Sequence, residues 1–419
     1  MANKFLNKTV VAIDIGTTKI CVLIASLDYK GNLEVSGIGQ VPSDGLKKGV
    51  VVNINKTVKS IKKAVTQAEK MSGTKIESAI VGISGGHIKS FNSTGVVAIR
   101  GEEVTQSDVD RVIESAKAVA ISKNQEVLHV LPQYFRIDGQ EFVLDSLGMY
   151  GVRLEAQVHI ITGAISSAQN IIKACELAGI KVQDLVLEQL ASAEAVLTPS
   201  ERELGVGILD IGGGTSDFAV YKDGKIIHTK VLPFAGNHFT NDLAIGLGIP
   251  IKKAEELKRL YGFVNEESYL DLDRDKVEIS LEYDGGIKNV ETYSLYEILN
   301  PRAVEIYELL SEEIAKFRLK SFMPSGLVLT GGGSLLAGMK EIALKKFRLQ
   351  VRVGEPQEFN NDNHHTSIPD LIKSPIYSTG YGLLLYALRK KDVEFEYGAN
   401  VSLVKNIYGI MKSWVWDFF

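Results

Sequence analysis

Two stretches of the chain place an aspartate, glycines and threonines in a short turn between two apolar runs. The first covers residues 10–25, with the turn DIGTTK at 14–19, and the second covers 205–224, with the turn DIGGGTSD at 210–217. Glycines allow backbone conformations that bring N–H groups against an anion. An aspartate at a strand end suits a water-mediated Mg²⁺ site, because Mg²⁺ prefers carboxylate oxygens and keeps most of its waters. Each stretch therefore predicts a β-hairpin whose turn binds phosphate.

The two turns lie roughly half a chain apart, which predicts a duplicated fold that holds one nucleotide from both sides. A single turn of this kind is equally compatible with an ordinary hairpin. A third stretch, residues 326–339, runs from an apolar strand into Gly331, Gly332 and Gly333 and then into a helix start. Such a glycine triplet lets a flat base or a ribose approach the backbone at the carboxyl end of a sheet.

The composition indicates a large apolar core and restricts the possible partners. The 419 residues suffice for two to four domains, and 45% of them are hydrophobic. A net charge of −4 argues against nucleic-acid binding, which normally needs a basic face. Cys21 and Cys175 are the only cysteines, so we expect a reducing compartment and no disulfide. We expect neither a signal peptide nor a transmembrane run of about 20 apolar residues.

The spacing of apolar residues predicts the elements that hold these turns. A helix is expected near 57–71, and a second helix is expected to start at Thr105, with Asp108 closing a capping box. Residues 85–160 interrupt the alternation of strands and helices, which predicts an inserted α/β subdomain. In the second half, a helix over 301–317 is expected to lead to the glycine triplet.

The end of the chain is expected to stand apart from the core. A last core helix is predicted over 380–388, then a charged linker over 389–402 and an amphipathic helix over 403–419. The apolar face of that final helix includes Leu403, Ile407, Met411, Trp414, Val415 and Phe418. The helix is too short and too charged to span a bilayer, and its aromatic residues and lysines favour a position in the membrane interface. Docking of this face on the body or on another subunit is the alternative.

The order of hairpin, hairpin and strand–GGG–helix resembles the ATPase superfamily of actin, Hsp70 and sugar kinases. Further stretches resemble one family within it, the bacterial cell-division proteins of the FtsA type: 127–140, 145–163, 200–217, 226–244 and 374–386. The sequence departs from that family in a less basic tail and in a long polar loop at 358–370, whose role the sequence leaves open. His364 and His365 lie in this loop, and without a cysteine or a third histidine we expect them to face solvent.

The resemblance implies an α/β, actin-like fold of two related halves around a nucleotide cleft, with an inserted subdomain and the C-terminal amphipathic helix. The implied domains are IA at 1–84 and 161–204 with part of 376–390, IC at 85–160, IIA at 205–236 and 301–388, and IIB at 237–300.

The resemblance also implies ATP and Mg²⁺ as the ligands of the cleft. Asp14 and Asp210 would hold Mg²⁺ through water. The phosphates would meet Gly16, Thr17, Thr18 and Lys19 of the first turn and Gly212, Gly213, Gly214 and Thr215 of the second, with Asp217 orienting that turn and Asn237 reaching the phosphates. Gly331, Gly332 and Gly333 would pack on the adenosine. Glu255 and Lys258 share one helix face and would contact ribose and base, although a surface ion pair is the alternative.

Catalysis would require a group that positions the attacking water. Glu188 is the candidate and Gln189 the alternate, and either is equally compatible with a structural helix-start residue. The resemblance favours ATP binding with slow hydrolysis at most, so that the nucleotide acts as a conformational clamp.

The resemblance implies a scaffold that anchors FtsZ polymers to the cytoplasmic face of the inner membrane at the division septum, assembles with itself and recruits later division proteins through domain IC. Domain IIB would bind the partly acidic C-terminal tail of FtsZ, with Lys288 and Arg302 as the residues to test. An FtsA-like pilus-assembly ATPase remains an alternative. A sugar kinase would need a carboxylate base in a sugar cleft, and an Hsp70-like chaperone would need a peptide-binding domain after the ATPase.

Overall fold

The computed structural model describes residues 8–27, 33–140, 142–269, 276–280, 287–358 and 366–396. Within these ranges the helices are α1 (Ile54–Ser72), α2 (Gln106–Lys117), α3 (Ile165–Leu177), α4 (Glu188–Val196), α5 (Pro199–Leu204), α6 (Gly236–Leu247), α7 (Ile251–Tyr261), α8 (Thr292–Lys316), α9 (Met339–Phe347) and α10 (Ser378–Glu396). The strands are β1 (Lys8–Ile15), β2 (Lys19–Leu27), β3 (Leu33–Pro42), β4 (Leu46–Lys47), β5 (Val50–Val51), β6 (Ser78–Ile83), β7 (Lys89–Ala98), β8 (Gln125–Ile137), β9 (Arg153–Ala164), β10 (Lys181–Leu187), β11 (Val206–Ile211), β12 (Ser216–Lys222), β13 (Lys225–Leu232), β14 (Lys276–Ser280), β15 (Ile287–Glu291), β16 (Leu327–Thr330), β17 (Val351–Val353) and β18 (Thr366–Ser367).

The two largest sheets share one strand order. The first runs β10-β6-β1-β2-β3-β18, and the second, read in the same direction, runs β17-β16-β11-β12-β13. In each, the first strand of the predicted hairpin pairs antiparallel with the next strand, β2 or β12, and parallel with a crossover strand, β6 or β16. The repeat predicted from the two turns is therefore a repeat of the whole sheet.

Helices bury both sheets and so fix the strand ends that form the turns. Helix α1 begins after Asn53, whose side chain accepts from the Lys56 N–H, and it ends at Gly73 in the left-handed conformation. Its buried stripe, which includes Ile61 and Ala64, packs on β2 and β3. Helix α10 packs on β1, β2 and β6 and against α4. The helix predicted near 57–71 is confirmed.

Between residues 91 and 160 a separate small core forms around the antiparallel sheet β7-β9-β8, with α2 packed on β7 and β9. The predicted capping box is present, since the Asp108 carboxylate accepts from the backbone N–H of Thr105 at 3.0 Å. This inserted sheet docks on edge strand β13. Ser90 donates to the Thr229 carbonyl at 2.8 Å, and His159 Nε2 lies 2.9 Å from the Thr229 hydroxyl.

The predicted start of the helix over 301–317 is wrong, because this segment belongs to the longer helix α8. It begins nine residues earlier, at Thr292, and carries Pro301 in its interior. Proline normally ends a helix because it removes a backbone donor and crowds the preceding turn. Here the apolar stripe continues through it, since Leu295 and Leu299 are as fully buried as Ala303 beyond it. Burial of that stripe outweighs the local cost, and the predicted border between domains IIB and IIA falls within one helix.

Helix α10 also differs from the prediction. It runs from Ser378 to Glu396, so the predicted end at 388 is too early and the first eight residues of the predicted linker are helical. Residues 389–396 contain neither glycine nor proline, and Arg389 reaches Glu194 of α4 at 2.5 Å. Residues 397–402 and the predicted amphipathic helix over 403–419 lie outside the described residues. No helix in the described ranges has the length and hydropathy needed to cross a membrane.

Candidate nucleotide site

The first turn joins β1 to β2 and is closed by a hydrogen bond from Gly16 N–H to the Lys19 carbonyl at 3.0 Å. The Lys19 ammonium contacts the carboxylate of Asp14. Burial opposes its charge, but the neighbouring carboxylates more than offset this and raise the pKa of Lys19. Thr17 is held from outside the hairpin, because its hydroxyl accepts the Gly49 N–H at 2.9 Å. These contacts therefore fix the conformation of the turn and place one cation, Lys19, at its end.

The second turn joins β11 to β12 with the same closure, from Gly212 N–H to the Thr215 carbonyl at 3.0 Å. The first residues of α6 support it from behind. Gly236 donates to the Gly212 carbonyl at 3.0 Å, and Asn237 donates to the Gly213 carbonyl at 2.8 Å. The two turns are therefore equivalent in local geometry as well as in sequence.

The turns face each other across the cleft at very short range. A β-carbon added at Gly213 would lie 2.3 Å from the Thr18 hydroxyl oxygen, and one added at Gly214 would lie 2.3 Å from that of Thr17. Glycine is required at both positions by this close approach. The structure therefore brings the predicted phosphate contacts of the two halves into one cleft.

Four carboxylates converge on this cleft: Asp14, Glu188, Asp210 and Asp217. Burial is the main cause that raises the pKa of Asp217 to about 7, and burial together with the other carboxylates raises the pKa of Glu188 well above its usual range. Lys19 is the one cation among the described lining residues. Among the described residues these carboxylates do not form a ready-made cluster of metal ligands, so a divalent cation that removed their mutual repulsion would have to be held through water.

Hydroxyl groups that the sequence analysis does not predict hold two of these carboxylates. Ser192 of α4 donates to Asp210, and Thr379 of α10 donates to the same oxygen at 3.1 Å. Ser84, at the end of β6, donates to Asp217 at 2.6 Å. These residues come from three distant parts of the chain, so only the assembled fold places them together.

Glu188 and Gln189 differ in what they face. Glu188 begins α4 directly after β10 and lines the cleft. It rests on Gly82, where an added β-carbon would lie 3.2 Å from its Cγ. Gln189 is fully buried, and its amide atoms have no hydrogen-bond partner among the described residues. Glu188 is therefore the one of the two that is placed to reach a ligand.

The glycine triplet lies against Asp210 and Ile211, where the second turn begins. Gly331 adopts φ +77°, and a β-carbon there would lie 2.1 Å from the Asp210 carboxylate. Gly332 is more open, with Ile376 at 3.7 Å from its would-be β-carbon. A 3-10 turn over Gly332–Leu335 precedes α9, so the predicted helix start is delayed to Met339. Pro375 adds to the lining without having been predicted.

Glu255 and Lys258 form the predicted pair on α7, with 2.6 Å between their charged atoms. Lys258 also donates to the Gly236 carbonyl at 3.2 Å and to the Thr240 hydroxyl at 2.9 Å. Neither member of the pair nor Asn237 is among the described lining residues of the cleft. The pair instead stands behind the second turn, tied to the start of α6.

Lys288 and Arg302 lie apart from the cleft and already have partners. Lys288 donates to the Leu247 carbonyl at the end of α6. Arg302 forks onto Asp242 of α6 at 2.7 and 3.0 Å and contacts Glu305 on its own helix. Both predicted partner residues therefore make contacts with the same neighbouring helix, α6.

Solved structures with this fold identify its class. The chain superimposes on the PilM–PilN type IV pilus biogenesis complex with a TM-score of 0.65 at 16% identity, covering 90% of this chain and 98% of that one. It superimposes on MreB 5 of Spiroplasma citri bound to AMPPNP with a TM-score of 0.55 at 15% identity, covering 93% and 99%. The fold is actin-like, which confirms the predicted class.

Sequence comparison then narrows the class to a family. Residues 85–162 match the SHS2 domain inserted in FtsA, and residues 207–382 match the cell division protein FtsA. The cell division protein FtsA of Pseudomonas aeruginosa is 45% identical over 392 residues, covering 94% of this chain and 92% of that protein. That of Escherichia coli K12 is 38% identical over 415 residues, covering 97% and 96%. The chain belongs to the FtsA family of cell-division proteins.

Proposed function

We propose that the cleft binds ATP with Mg²⁺ and that the nucleotide holds the two halves together. The observation that carries this proposal is the pair of equivalent glycine turns that face each other, with three buried aspartates, the half-buried Glu188 and a single lysine among the described residues that line the cleft. Bound Mg²⁺ would neutralise the carboxylate and phosphate charge. Backbone N–H groups of both turns would donate to the phosphates, Lys19 would neutralise them directly, and Asp14 and Asp210 would accept from metal-bound water.

Hydrolysis is proposed to be slow. Glu188 is the residue placed to orient a water, but the neighbouring carboxylates and burial keep its pKa high. A raised pKa favours the protonated form of Glu188, which cannot accept a proton from water, so Glu188 would act as a base only while a bound cation such as Mg²⁺ lowers that pKa. The site thus suits a clamp that stays closed for a long time more than it suits rapid turnover.

We propose that this clamp belongs to a cell-division scaffold that links FtsZ polymers to the cytoplasmic face of the inner membrane at the septum. Membership of the FtsA family supports this role over a sugar kinase or a chaperone. The likeness to the pilus complex rests on 16% identity and supports the fold alone. The tail helix over 403–419 would provide the membrane contact, domain IIB would hold the FtsZ tail, and self-assembly would multiply a weak single contact.

Flotation of FtsZ polymers with lipid vesicles in the presence of ATP and Mg²⁺ tests this proposal. The full chain should carry FtsZ to the vesicles, whereas the chain ending at residue 402 should stay soluble with its polymers. Trp414→Glu should lose nearly as much, since a charge inserted among acyl chains costs about 2–3 kcal/mol.

Lys405→Glu is the matched control for this experiment and should lose less, because the sequence pattern predicts Lys405 at the rim of the apolar face. High salt should weaken binding only modestly, since apolar burial is not screened. Vesicle binding by the truncated chain, or its aggregation, would rule out the tail as the membrane contact.

A further inference from the structure

The inserted domain reaches the cleft through a buried histidine. His129 lies on β8 of the inserted sheet and is 1% exposed. Its Nε2 accepts the backbone N–H of Leu187 at 3.1 Å. Leu187 is the residue immediately before Glu188, and the backbone turns there from β10 into α4. A side chain of the inserted domain therefore fixes the peptide from which Glu188 projects.

A second link reaches the opposite side of the cleft. Ser84 is the residue after β6, where the chain leaves for the inserted domain, and it is 2% exposed. Besides its bond to Asp217, its hydroxyl lies 3.4 Å from that of Thr215 in the second turn. Three residues on, His87 Nδ1 accepts the Ala164 N–H at 3.3 Å, where the chain returns to the body. Both crossings between body and insertion are thus tied together beside the phosphate turns.

The contacts of His129 and Ser84 lead to side chains that a ligand in the cleft would contact. Glu188 and Asp217 face the cleft from opposite halves, and Thr215 closes the second turn. Phosphate contact with the turn, or removal of the carboxylate repulsion, would shift these groups. Because Ser84 and His129 are buried and hydrogen-bonded to the cleft residues, such shifts would reach the inserted sheet through them.

We propose that His129 and Ser84 are positioning residues that couple the nucleotide site to the inserted domain. Phosphates in the cleft stiffen residues 89–164, and the inserted domain in turn biases the placement of Glu188, because coupling between two sites is reciprocal. The proposal rests on the proposed function, namely that the cleft binds ATP.

Hydrogen–deuterium exchange of the full chain, with and without saturating ATP and Mg²⁺, tests this coupling. In the wild type, ATP should slow exchange in β8 and α2 as well as in the two turns. In Ser84→Ala and His129→Ala, each compared at an ATP concentration that saturates the variant, the protection of β8 and α2 should fall about fivefold relative to the protection of the turns. His129→Gln should keep most of it, because the glutamine amide can still accept the Leu187 N–H.

Ser90→Ala is the matched control, since it removes a serine hydrogen bond from strand β7 of the inserted sheet to the Thr229 carbonyl, away from the cleft residues. Equal losses in Ser90→Ala and Ser84→Ala, or in His129→Gln and His129→Ala, would overturn the coupling. If calorimetry shows ATP binding and the turns are protected while 89–164 is unchanged in the wild type, the coupling fails but ATP binding stands. Absence of ATP binding would instead refute the proposed function. Should His129→Ala fail to fold, Ser84→Ala and His129→Gln still decide the outcome.

Discussion

Lys19 occupies an unusual position among single residues, because it is the one cation among the described residues that line a strongly anionic cleft. Its partner Asp14 and the three other carboxylates repel any bound phosphate unless a cation intervenes. Phosphate binding therefore depends on a few charges rather than on a large contact area. The loss of any one of them should have a large effect.

Lys19→Ala and Asp210→Ala should each abolish tight ATP binding. Removing one partner of a buried charge contact costs about 2–5 kcal/mol, which is on the order of a hundredfold in affinity or more. Calorimetry with ATP and Mg²⁺ measures this loss, and Lys63→Ala on the exposed face of α1 is the control. Wild-type affinity in both cleft variants would place the nucleotide elsewhere.

The sequence was sufficient to predict those members of the cleft that sit within a turn. Asp14, Lys19 and Gly213 were recognisable because glycine spacing and strand patterns are local. Ser84 and Thr379 were not recognisable, because a serine or threonine at a strand end or helix start has many local uses. Only the meeting of distant segments turns them into partners of Asp217 and Asp210.

Among the secondary-structure elements, the seam between the inserted sheet and β13 is built from polar side chains. His159 Nδ1 lies 2.6 Å from the Asn92 side-chain oxygen and its Nε2 lies against Thr229, so both ring nitrogens are used by the neutral form. Burial, and then the neighbouring His228, lower the pKa of His159 to about 3. His228 itself pairs with Glu313 at 2.8 Å. Protonation of His159 would leave a buried charge in this seam.

Acid should therefore destabilise the wild type more than His159→Gln. Unfolded His159 takes up a proton below its ordinary pKa of about 6.5, whereas folded His159 stays neutral, so its contribution is present above 6.5 and is lost as pH falls towards 3. The loss approaches about 1.4 kcal/mol per pH unit. Thermal unfolding at pH 7.5 and 5.5 measures it, and parallel shifts in both proteins would contradict the assignment. Glu313, Lys230 and Lys316 also face the seam but are common to both proteins.

The crossing of α10 over α4 depends on Gly382. A β-carbon there would lie 1.7 Å from the Ala191 carbonyl oxygen, which is part of the helix backbone and cannot rotate away. Gly382→Ala should therefore lower stability by at least about 2 kcal/mol, although alanine normally stabilises a helix interior. Thermal unfolding reports the change, and Gly86→Ala, which meets no atom within 4 Å, should be neutral. A raised midpoint in Gly382→Ala would contradict this packing.

Helix lengths were less predictable than the turns because they depend on burial that local sequence does not show. Pro301 is a strong stop signal, yet Leu295 and Leu299 upstream of it are buried in the second core, and α8 continues through. The charged residues after Leu388 suggested a linker, but Arg389 finds Glu194 on a neighbouring helix. In both cases tertiary contacts overrode the local signal.

For the molecule as a whole, Lys288 on β15 and Arg302 on α8 both contact α6, and this shared contact supports a test of the FtsZ-binding surface. Changing Lys288→Glu together with Arg302→Gln should weaken binding of the FtsZ tail peptide severalfold, since the peptide is partly acidic. Arg302→Gln removes charge without setting a new repulsion against Asp242. Titration of labelled peptide measures the effect, and Lys252→Glu on the exposed face of α7 is the control. Equal affinity in all three proteins would move the binding surface elsewhere.

The matching strand orders of the two sheets have a consequence for where the chain tolerates an insertion. Because β6 and β16 occupy equivalent positions, the loop at 84–86, Ser-Gly-Gly, is the counterpart of the triplet at 331–333. If the cleft binds one nucleotide, as proposed, that ligand has a single adenosine, and a clamp with two-fold pseudosymmetry would offer one base-binding loop too many. The second loop would then be free of ligand recognition, and it is where the inserted domain leaves the body. Under the proposed function, the asymmetry of the ligand would thus leave a free attachment point in a fold whose two sheets are otherwise equivalent, and Ser84 of this loop donates directly to Asp217 beside the second turn.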